Sequence, residues 1–382
     1  MQRLPTLRWF IPFVGVLVAI ASLAPAVSSR TAAQGSRNLT VLVGAGQDTL
    51  QVTSFFPMTV RIRQGDSITW QANAQELHTA AFVKGVTQWG PGAGGFGVGV
   101  PGETAPEFAA PIPGFPPEAA QLNPQIAYPT RAPDAPIETY SGPGKFLNSG
   151  ILTRPPAAAG VPLNSTFSVS FDTPGTYMYI CLIHSDRMFG WVDVAPADAT
   201  DVDQQADVDA RASSEIGALM GLAQQAQAEG NATARSEPGP NGTSIWYARA
   251  GNQEFETGDP RAQVLDFLPK DVTIRAGDTV VWGTNYFHTV TFVPIPPSPD
   301  LVTQIPQPNG PPLLPIAIEA GPPQKPSATY DPTKLFTSGT IGPFTPPGDS
   351  WALTFDQPGT YSYVCLYHEA LGMKGTVTVL PR

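Results

Sequence analysis

The sequence predicts an all-β fold, built as two tandem β-sandwich domains in one chain of 382 residues. Two motifs occur twice, once in each half, and each consists of short apolar-polar alternations separated by turn residues. Strands of this kind without alternating helices favour sandwiches over a parallel α/β sheet. The 43 prolines and 37 glycines further predict long irregular stretches and little helix.

The first repeated motif is a strand, a turn and a second strand. Residues 56–70 return as residues 268–282, and both copies end in Trp. In the first copy Val60 and Ile62 alternate with arginines, and the Gly-Asp pair at residues 65–66 makes the turn. Each copy therefore predicts a half-buried β-hairpin in its own domain.

The second repeated motif pairs residues 171–184 with residues 355–368. A Pro-Gly turn lies near the start of each copy, and Tyr, Tyr and Cys then alternate along a strand. Because alternate residues of a strand share a face, Cys181 and Cys365 are predicted to point to the same face as the tyrosines. The two copies extend the resemblance between the halves of the chain.

Residues 1–26 have the features of a secretion signal. Arg3 and Arg8 precede an apolar run at residues 9–23, and residues 24–26 provide the small-residue pattern of a cleavage site. The alternative is an uncleaved membrane anchor, although a run of about 15 apolar residues is short for a membrane span. The sequence thus predicts an exported protein, periplasmic, secreted or at the cell surface, with a membrane tether as the alternative.

A linker at residues 197–243 joins the two predicted domains, which occupy residues 37–196 and 244–382. Residues 200–203 could cap a helix in this linker. The helix would carry an apolar stripe made of Ile216, Leu219, Met220 and Ala223.

Two insertions interrupt the predicted domains. They are rich in proline, glycine and alanine and lie at roughly residues 91–143 and 294–326. Loops of this length are either functional or disordered. The insertions could therefore form a docking surface.

The residues with metal-binding chemistry all lie in or beside the repeated motifs. The chain has four His and two Cys, and each half offers one upstream His, followed by Cys, His and Met on a single loop. The two sets are His78, Cys181, His184 and Met188, and His288, Cys365, His368 and Met373. Two imidazoles, a thiolate and a weak axial thioether form the trigonal ligand set that selects copper for electron transfer. The sequence therefore predicts two type 1 copper ions.

The second half resembles the plastocyanin and azurin family, the cupredoxins. Residues 365–373 read Cys-Leu-Tyr-His-Glu-Ala-Leu-Gly-Met, which is similar to the plastocyanin spacing of two residues before His and four before Met. Residues 181–188 of the first half have one residue fewer between His and Met. The resemblance implies two tandem cupredoxin-like Greek-key β-sandwich domains. It also implies that His184 and His368 lie at an apolar surface patch and serve as the electron port.

Other interpretations of these residues remain open. Two Cys in an exported protein most often form a disulfide, although here a bridge would require two domain interiors to meet. Met188 and Met373 could instead fill gaps in the core. Thr79 and Thr289 follow the first His of each half and are predicted to hydrogen-bond near the Cys loop.

The main functional hypothesis is a blue-copper carrier that moves single electrons between redox protein partners through transient contacts. The net charge of −10 disfavours nucleic acid and favours basic partners. The alternatives are a copper-binding or delivery protein or a cell-surface binding module on the same fold, and a copper oxidoreductase such as a nitrite reductase. An enzyme of that type needs further His ligands, and every His is already used, so the sequence predicts no catalytic residues.

Overall fold

The fold is described by a computed structural model that covers most of the chain after residue 34. The described residues are 35–84, 99–100, 103–104, 106, 108–116, 119–132, 135–155, 160–184, 187–232, 235–252, 257–284, 286–294, 297–321, 328–342 and 350–382. The predicted secretion signal at residues 1–26 lies outside the described residues, as do parts of both predicted insertions.

The described part of the first half consists of strands and one short helix. These elements are β1 (Asn38–Gln47), β2 (Leu50–Phe56), β3 (Thr59–Arg63), β4 (Ser67–Ala72), β5 (Ala81–Phe82), β6 (Gly99–Val100), β7 (Glu103–Thr104), β8 (Ala109–Pro111), β9 (Ala120–Leu122), α1 (Pro124–Ala127), β10 (Glu138–Tyr140), β11 (Leu147–Asn148), β12 (Thr166–Phe171), β13 (Gly175–Ile180) and β14 (Phe189–Ala195).

A long helix follows, and the second half is again made of strands. These elements are α2 (Gln205–Ala232), β15 (Arg235–Pro238), β16 (Ser244–Ala250), β17 (Ala262–Val264), β18 (Phe267–Leu268), β19 (Asp271–Arg275), β20 (Asp278–Gly283), β21 (Thr291–Phe292), β22 (Ala328–Thr329), β23 (Phe336–Thr337), β24 (Ser350–Phe355), β25 (Gly359–Val364) and β26 (Lys374–Leu380).

Each half contains two main sheets of mixed strand direction, and the described residues of the first half also form the two-stranded pairs β6-β7 and β8-β9. In the first half the strand orders are β10-β12-β4-β1-β2-β17 and β11-β5-β13-β14-β3. In the second half they are β15-β16-β20-β24-β22, with β18 also paired to β16, and β19-β26-β25-β21-β23. The parallel pairing of β1 with β4 has its counterpart in β16 with β20, and β3 with β14 has its counterpart in β19 with β26. The prediction of an all-β fold with cupredoxin-like sandwich domains is confirmed.

The repeated sequence motifs form the cores of the two halves. Strand β4 buries Ile68, Trp70 and Ala72 in alternation, as a strand with one face on the core must. Trp70 and Trp282 are both fully buried, each against a tyrosine of the strand that precedes the Cys. Packing against these Trp residues therefore fixes which face of β13 and of β25 points into the core, just before each Cys loop begins.

Within the segment predicted to link the domains, Gln205–Ala232 form the 28-residue helix α2. Its residues Leu219 and Ala223 are buried against a cluster that includes Val52 and Phe56 of β2, so the predicted apolar stripe faces the first half. Asp203 precedes the helix, and its carboxylate receives hydrogen bonds from the Arg211 side chain at 2.9 Å. The helix is therefore packed on a sheet rather than exposed between domains.

The two halves share buried structure. Strand β17 comes from the second half, yet it pairs with β2 as the edge strand of a first-half sheet. The two proline-rich insertions also meet, because the amide of Leu122 donates to the carbonyl of Leu314 at 2.9 Å. Within the described ranges, no helix combines the length and the apolar character that a membrane crossing requires.

Candidate metal centres

The upstream histidines are held in the same way in both halves. His78 follows β4 and exchanges two backbone hydrogen bonds with Leu152, of 3.0 and 2.7 Å. His288 follows β20 and exchanges two with Ile341, of 3.2 and 2.9 Å. Each His is therefore part of an isolated β-bridge, and its backbone position is fixed by main-chain bonds.

A glycine packs against the ring of each upstream His. Gly44 lies in β1 with a φ of +65°, and Gly251 follows β16 with a φ of +80°. A Cβ at either position would collide with Nε2 of His78 or of His288. The backbone can approach the imidazole this closely only because both residues are glycine.

The loops that carry Cys, His and Met are closed by the same hydrogen bonds although their lengths differ. The amide of Cys181 donates to the carbonyl of Met188 at 2.9 Å, and the amide of Cys365 donates to that of Met373 at 3.1 Å. The longer second loop contains a 3-10 turn, Glu369–Leu371, and Gly372 in the left-handed region with a φ of +96°. The extra residue of the second loop is therefore absorbed within the turn.

The structure brings the predicted His and Cys residues together in two clusters of three, His78 with Cys181 and His184, and His288 with Cys365 and His368. Within each cluster the potential ligand atoms all lie within 4.8 Å of one another. Cys365 Sγ is 3.7 Å from His288 Nδ1 and 3.6 Å from His368 Nδ1, and Cys181 Sγ is 3.6 Å from His184 Nδ1. The clusters are separate, and both Cys are free, so the structure contains no disulfide between them.

The two methionines lie where the loops return to the sheets. Met188 and Met373 are fully buried, and each immediately precedes a strand, β14 or β26. Each Met carbonyl accepts a hydrogen bond from the Cys amide of the same loop, so the backbones of Met and Cys lie side by side. Their assignment as axial ligands stays a prediction.

The threonines that follow the upstream histidines contact the Cys residues. The Thr79 amide lies 3.3 Å from Cys181 Sγ, and the Thr79 hydroxyl accepts a hydrogen bond from the Leu182 amide at 2.7 Å. In the second half, the Thr289 amide lies 3.4 Å from Cys365 Sγ, and its hydroxyl accepts from Leu366 at 2.8 Å. The hydrogen bonds predicted near the Cys loop are therefore present in both halves.

One functional residue was not found from the sequence, and it distinguishes the two clusters. Glu76 lies two positions before His78, where the second half has Tyr286 before His288. The Glu76 side chain is only 5% exposed, and its Oε1 is 3.1 Å from His184 Nε2. The sequence carries no signal for this role, because a Glu is ordinarily exposed and its burial beside His184 is seen only in the structure.

The electrostatics of the first cluster follow from Glu76. Burial works to raise the pKa of Glu76, but the charge and hydrogen bond of His184 lower it to about 2. Burial likewise opposes a charge on His184, yet Glu76 and Cys181 raise the pKa of His184 to about 10. Burial would raise the pKa of the Cys181 thiol, but His184 and the nearby His78 lower it to about 5.

The second cluster shows the opposite pKa shifts because burial dominates there, and the charge of Glu76 offsets only part of its effect on His368. Burial raises the pKa of the Cys365 thiol to about 11. Burial also lowers the pKa of His368 to about 4 and holds that of His288 well below its usual value. Cys181 and His184 are therefore biased toward their charged forms, whereas Cys365, His288 and His368 are biased toward their neutral forms.

The prediction that His184 lies at an apolar surface patch is wrong. His184 is 5% exposed and lies in a cleft of about 70 Å³ whose lining also includes Glu76, Tyr367 and His368. His368 is partly exposed. The insertions of both halves contribute Phe108 and Leu301 to the same lining, which encloses the histidine of the first half.

The arrangement fits a bound metal in both clusters. Both ring nitrogens of His78 are buried and have no hydrogen-bond partner among the described residues. An unpaired buried polar group costs roughly 1–3 kcal/mol, which a metal bond would offset. In the second cluster, His288 Nδ1 and His368 Nδ1 face each other at 3.2 Å beside Cys365 Sγ. Imidazole and thiolate are the donors that suit copper.

The fold and these clusters define a cupredoxin, an all-β protein with a His-Cys-His copper site. The model of the copper binding proteins of the plastocyanin/azurin family matches residues 254–380. Plastocyanin of Scenedesmus fuscus is 32% identical over 117 residues, which cover 30% of this chain and 87% of that relative. The chain therefore belongs to the plastocyanin/azurin family of copper-binding proteins.

Further relatives match a similar share of the chain. The chloroplastic plastocyanin of Physcomitrium patens is 30% identical over 117 residues, which are 30% of this chain and 51% of that relative. Among solved structures, oxidized plastocyanin from Dryopteris crassirhizoma is 20% identical and covers 35% of this chain and 99% of its own, with a TM-score of 0.19. Family membership supports a blue-copper electron-transfer protein.

Proposed function

We propose that the chain is an exported electron carrier with one type 1 copper centre in each of two cupredoxin domains, residues 37–196 and 244–382. Residues 197–243 would connect the domains through helix α2. The observation that carries the proposal is the convergence of all four His and both Cys of the sequence into two clusters of the same composition. Random placement of six such residues would not produce two equivalent sites.

The first centre would be held by His78, Cys181, His184 and Met188. The second would be held by His288, Cys365, His368 and Met373. Copper bound there would supply one-electron redox chemistry. The thioether donors are supported by the full burial of both methionines and by their place at the end of each Cys loop.

The protein's own contribution is to hold the donors rigidly. The β-bridges fix the upstream histidines, and the closed loops fix Cys, His and Met relative to one another. Amides of Thr79 and Thr289 point at the sulfur atoms, where a hydrogen bond stabilises negative charge on the thiolate. A site whose donors are preorganised needs little rearrangement when the charge of its metal changes.

Electron transfer is favoured over catalysis because the four His are all used. A copper that binds and reduces substrate would need further ligands, and the sequence contains no further His. The family relatives named plastocyanin support an electron carrier as well. Partners would be redox proteins that act as donor and acceptor, and the net charge of −10 favours basic surfaces on them.

Export is proposed from the N-terminal segment. Arg3, Arg8 and the apolar run at residues 9–23 are typical of a secretion signal. The protein would act in the periplasm, in the medium or at the cell surface, with a membrane tether if residues 1–26 are retained.

Copper quantitation and visible absorption of the oxidised, copper-loaded chain test the proposal. We expect two coppers per chain and an intense absorption at about 600 nm that reductant bleaches. Cys181→Ser and Cys365→Ser should each remove one copper and about half of the band, because each substitution deletes one thiolate. A protein that binds copper without this band would contradict the electron-carrier function.

A further inference from the structure

The cleft that encloses His184 connects the two candidate centres. Its lining includes the downstream His of each cluster, His184 and His368. In single-domain form, such a His would face an external partner. Here the two residues face one volume of about 70 Å³ inside the same chain.

The ligand loop of the second half is also packed into the first half. Leu366, the residue after Cys365, is 4% exposed and belongs to the hydrophobic core of the first half. Tyr367 packs against the cores of both halves. The segment between Cys365 and His368 therefore packs both against the second centre's own core and against the core that surrounds the first centre.

A second contact joins the first Cys loop to the segment that precedes His288. The Arg187 guanidinium, one residue before Met188, lies 4.1 Å from the ring centroid of Tyr286, two residues before His288. Arg187 also donates to the Pro260 carbonyl at 3.1 Å. The first Cys loop is thus held against the segment that precedes His288 by a cation–π contact and a hydrogen bond.

Glu76 is the buried anion of this junction. Its carboxylate is 3.1 Å from His184 Nε2 and lines the same cleft as His368. Both histidines face it, but only His184 is within hydrogen-bond distance. The negative charge therefore acts more strongly on the first centre than on the second.

We propose that the two centres exchange electrons within one molecule across the His184–His368 cleft, and that Glu76 biases the shared electron toward the second centre. This inference rests on the proposed two-copper function. In each exchange one centre is oxidised from Cu(I) to Cu(II) while the other is reduced from Cu(II) to Cu(I). One electron moves, and no bond or proton changes place.

The bias has a direct electrostatic cause. Oxidation adds a positive charge to a centre, and a nearby carboxylate stabilises that charge. Because Glu76 lies against His184, it favours Cu(II) at the first centre. The electron of a singly reduced molecule is thereby displaced toward the second centre. Glu76 is a positioning residue in this scheme, since it acts through His184.

Proximity and exchange can be measured on the full copper-loaded chain. Pulsed dipolar electron paramagnetic resonance of the fully oxidised protein should show coupling between two Cu(II) ions in one molecule. Cys181→Ser and Cys365→Ser, with one copper each, should lack it. After reduction by a substoichiometric flash-generated reductant, the electron should redistribute between the centres at a rate independent of protein concentration.

The substitution Glu76→Gln tests the bias and keeps the shape of the side chain. We expect the equilibrium ratio of reduced first centre to reduced second centre to rise about tenfold, because a buried charge is removed from one side. Glu369→Gln is the matched control, since Glu369 is partly exposed beside His368 and pairs with Lys374 at 3.3 Å. Its effect should stay below about twofold because water and Lys374 screen it.

Different results would contradict internal electron exchange, the role of Glu76 and the proposed carrier function. A redistribution rate proportional to protein concentration, with normal blue spectra in both single-site variants, would overturn internal exchange and leave the carrier function standing. An unchanged ratio in Glu76→Gln would overturn the role of Glu76. Absence of the blue band from both single-site variants would instead contradict the proposed function itself.

Discussion

The two candidate centres have the same ligand types, the same closing hydrogen bonds and opposite electrostatics. The first has Glu76 against its downstream His, whereas the second has Tyr286 at the equivalent position. In the first centre burial would raise the pKa of Cys181, but His184, whose positive charge Glu76 favours, and His78 lower it to about 5. Without such a carboxylate, burial raises the pKa of Cys365 to about 11. One residue outside the ligand set therefore makes two repeats of one motif unequal.

The two centres share the features that shape their ligand geometry. Gly44 and Gly251 occupy the same place against the upstream His, with positive φ in both halves. The hydroxyls of Thr79 and Thr289 each accept a hydrogen bond from the amide of the residue that follows the Cys in their own half. Features that shape the ligand geometry are duplicated, and features that set the charge are not.

The largest effect is expected where the centres are the same. Gly44→Ala and Gly251→Ala each place a Cβ against a buried imidazole, in a backbone region that L residues rarely adopt. Each should destabilise its half by about 1–3 kcal/mol and reduce copper retention at its own centre only. Copper content and urea unfolding of the loaded protein measure both effects.

Gly65→Ala is the control for this pair. Gly65 also has a positive φ, of +92°, but nothing lies within 4 Å of a Cβ placed there. It should lose stability from backbone strain while both coppers are retained. Equal copper loss in Gly65→Ala would mean that contact with the imidazole is not what Gly44 and Gly251 provide.

Much of the fold could be predicted because its signals are local and occur twice. The alternation along β4 and the Tyr-Tyr-Cys strand β13 follow from the two-residue period of a strand, and the core role of Trp70 and Trp282 is confirmed. The clusters could be anticipated because Cys and His lie three residues apart on one loop. The upstream His could be assigned to each cluster only because it occurs at equivalent positions in both repeats, since no local pattern connects it to the Cys loop.

The relation between the halves could not be predicted. Strand β17 crosses to a first-half sheet, and nothing in the sequence Ala-Gln-Val identifies its partner strand. The enclosure of His184 depends on Phe108 and Leu301, which come from two proline-rich insertions without periodic pattern. Glu76 is an ordinary polar residue in sequence, and only its burial beside His184 reveals its role.

A smaller effect is expected where the first Cys loop contacts the segment that precedes His288. Arg187→Met removes the cation over the Tyr286 ring, and Tyr286→Leu removes the ring. In a double-mutant cycle we expect a coupling of about 1–2 kcal/mol in the free energy of unfolding, since the guanidinium is largely desolvated. Tyr286→Phe keeps an aromatic face, so its coupling with Arg187 should persist. A coupling near zero would show that the halves are held together by apolar packing alone.

The smallest difference is expected between Asp66 and Asp278, which occupy the same turn of the first repeated motif. Burial would raise both pKa values, but hydrogen bonds lower them, from Arg37 and Arg63 for Asp66 and from Arg275, Ser244 and Trp246 for Asp278. A carboxyl group whose pKa is lowered by folding stabilises the fold above its unfolded pKa. That stability is lost as the pH falls through the folded pKa.

Asp66→Asn and Asp278→Asn should therefore each lower the free energy of unfolding at pH 7 by about 1–3 kcal/mol, and the deficit should shrink in acid. Asp66 additionally pairs with the Arg37 guanidinium at 2.9 Å, whereas the hydrogen bonds to Asp278 come from neutral groups. The Asp66→Asn deficit should fall more at high salt than the Asp278→Asn deficit, by about 0.5 kcal/mol, because Arg37 pairs directly with Asp66 whereas Arg382 acts on Asp278 through its charge alone. Urea unfolding at two pH values and two salt concentrations measures this. An equal salt dependence in both variants would show that the two turns are electrostatically equivalent, and that the asymmetry of the molecule is confined to the metal centres.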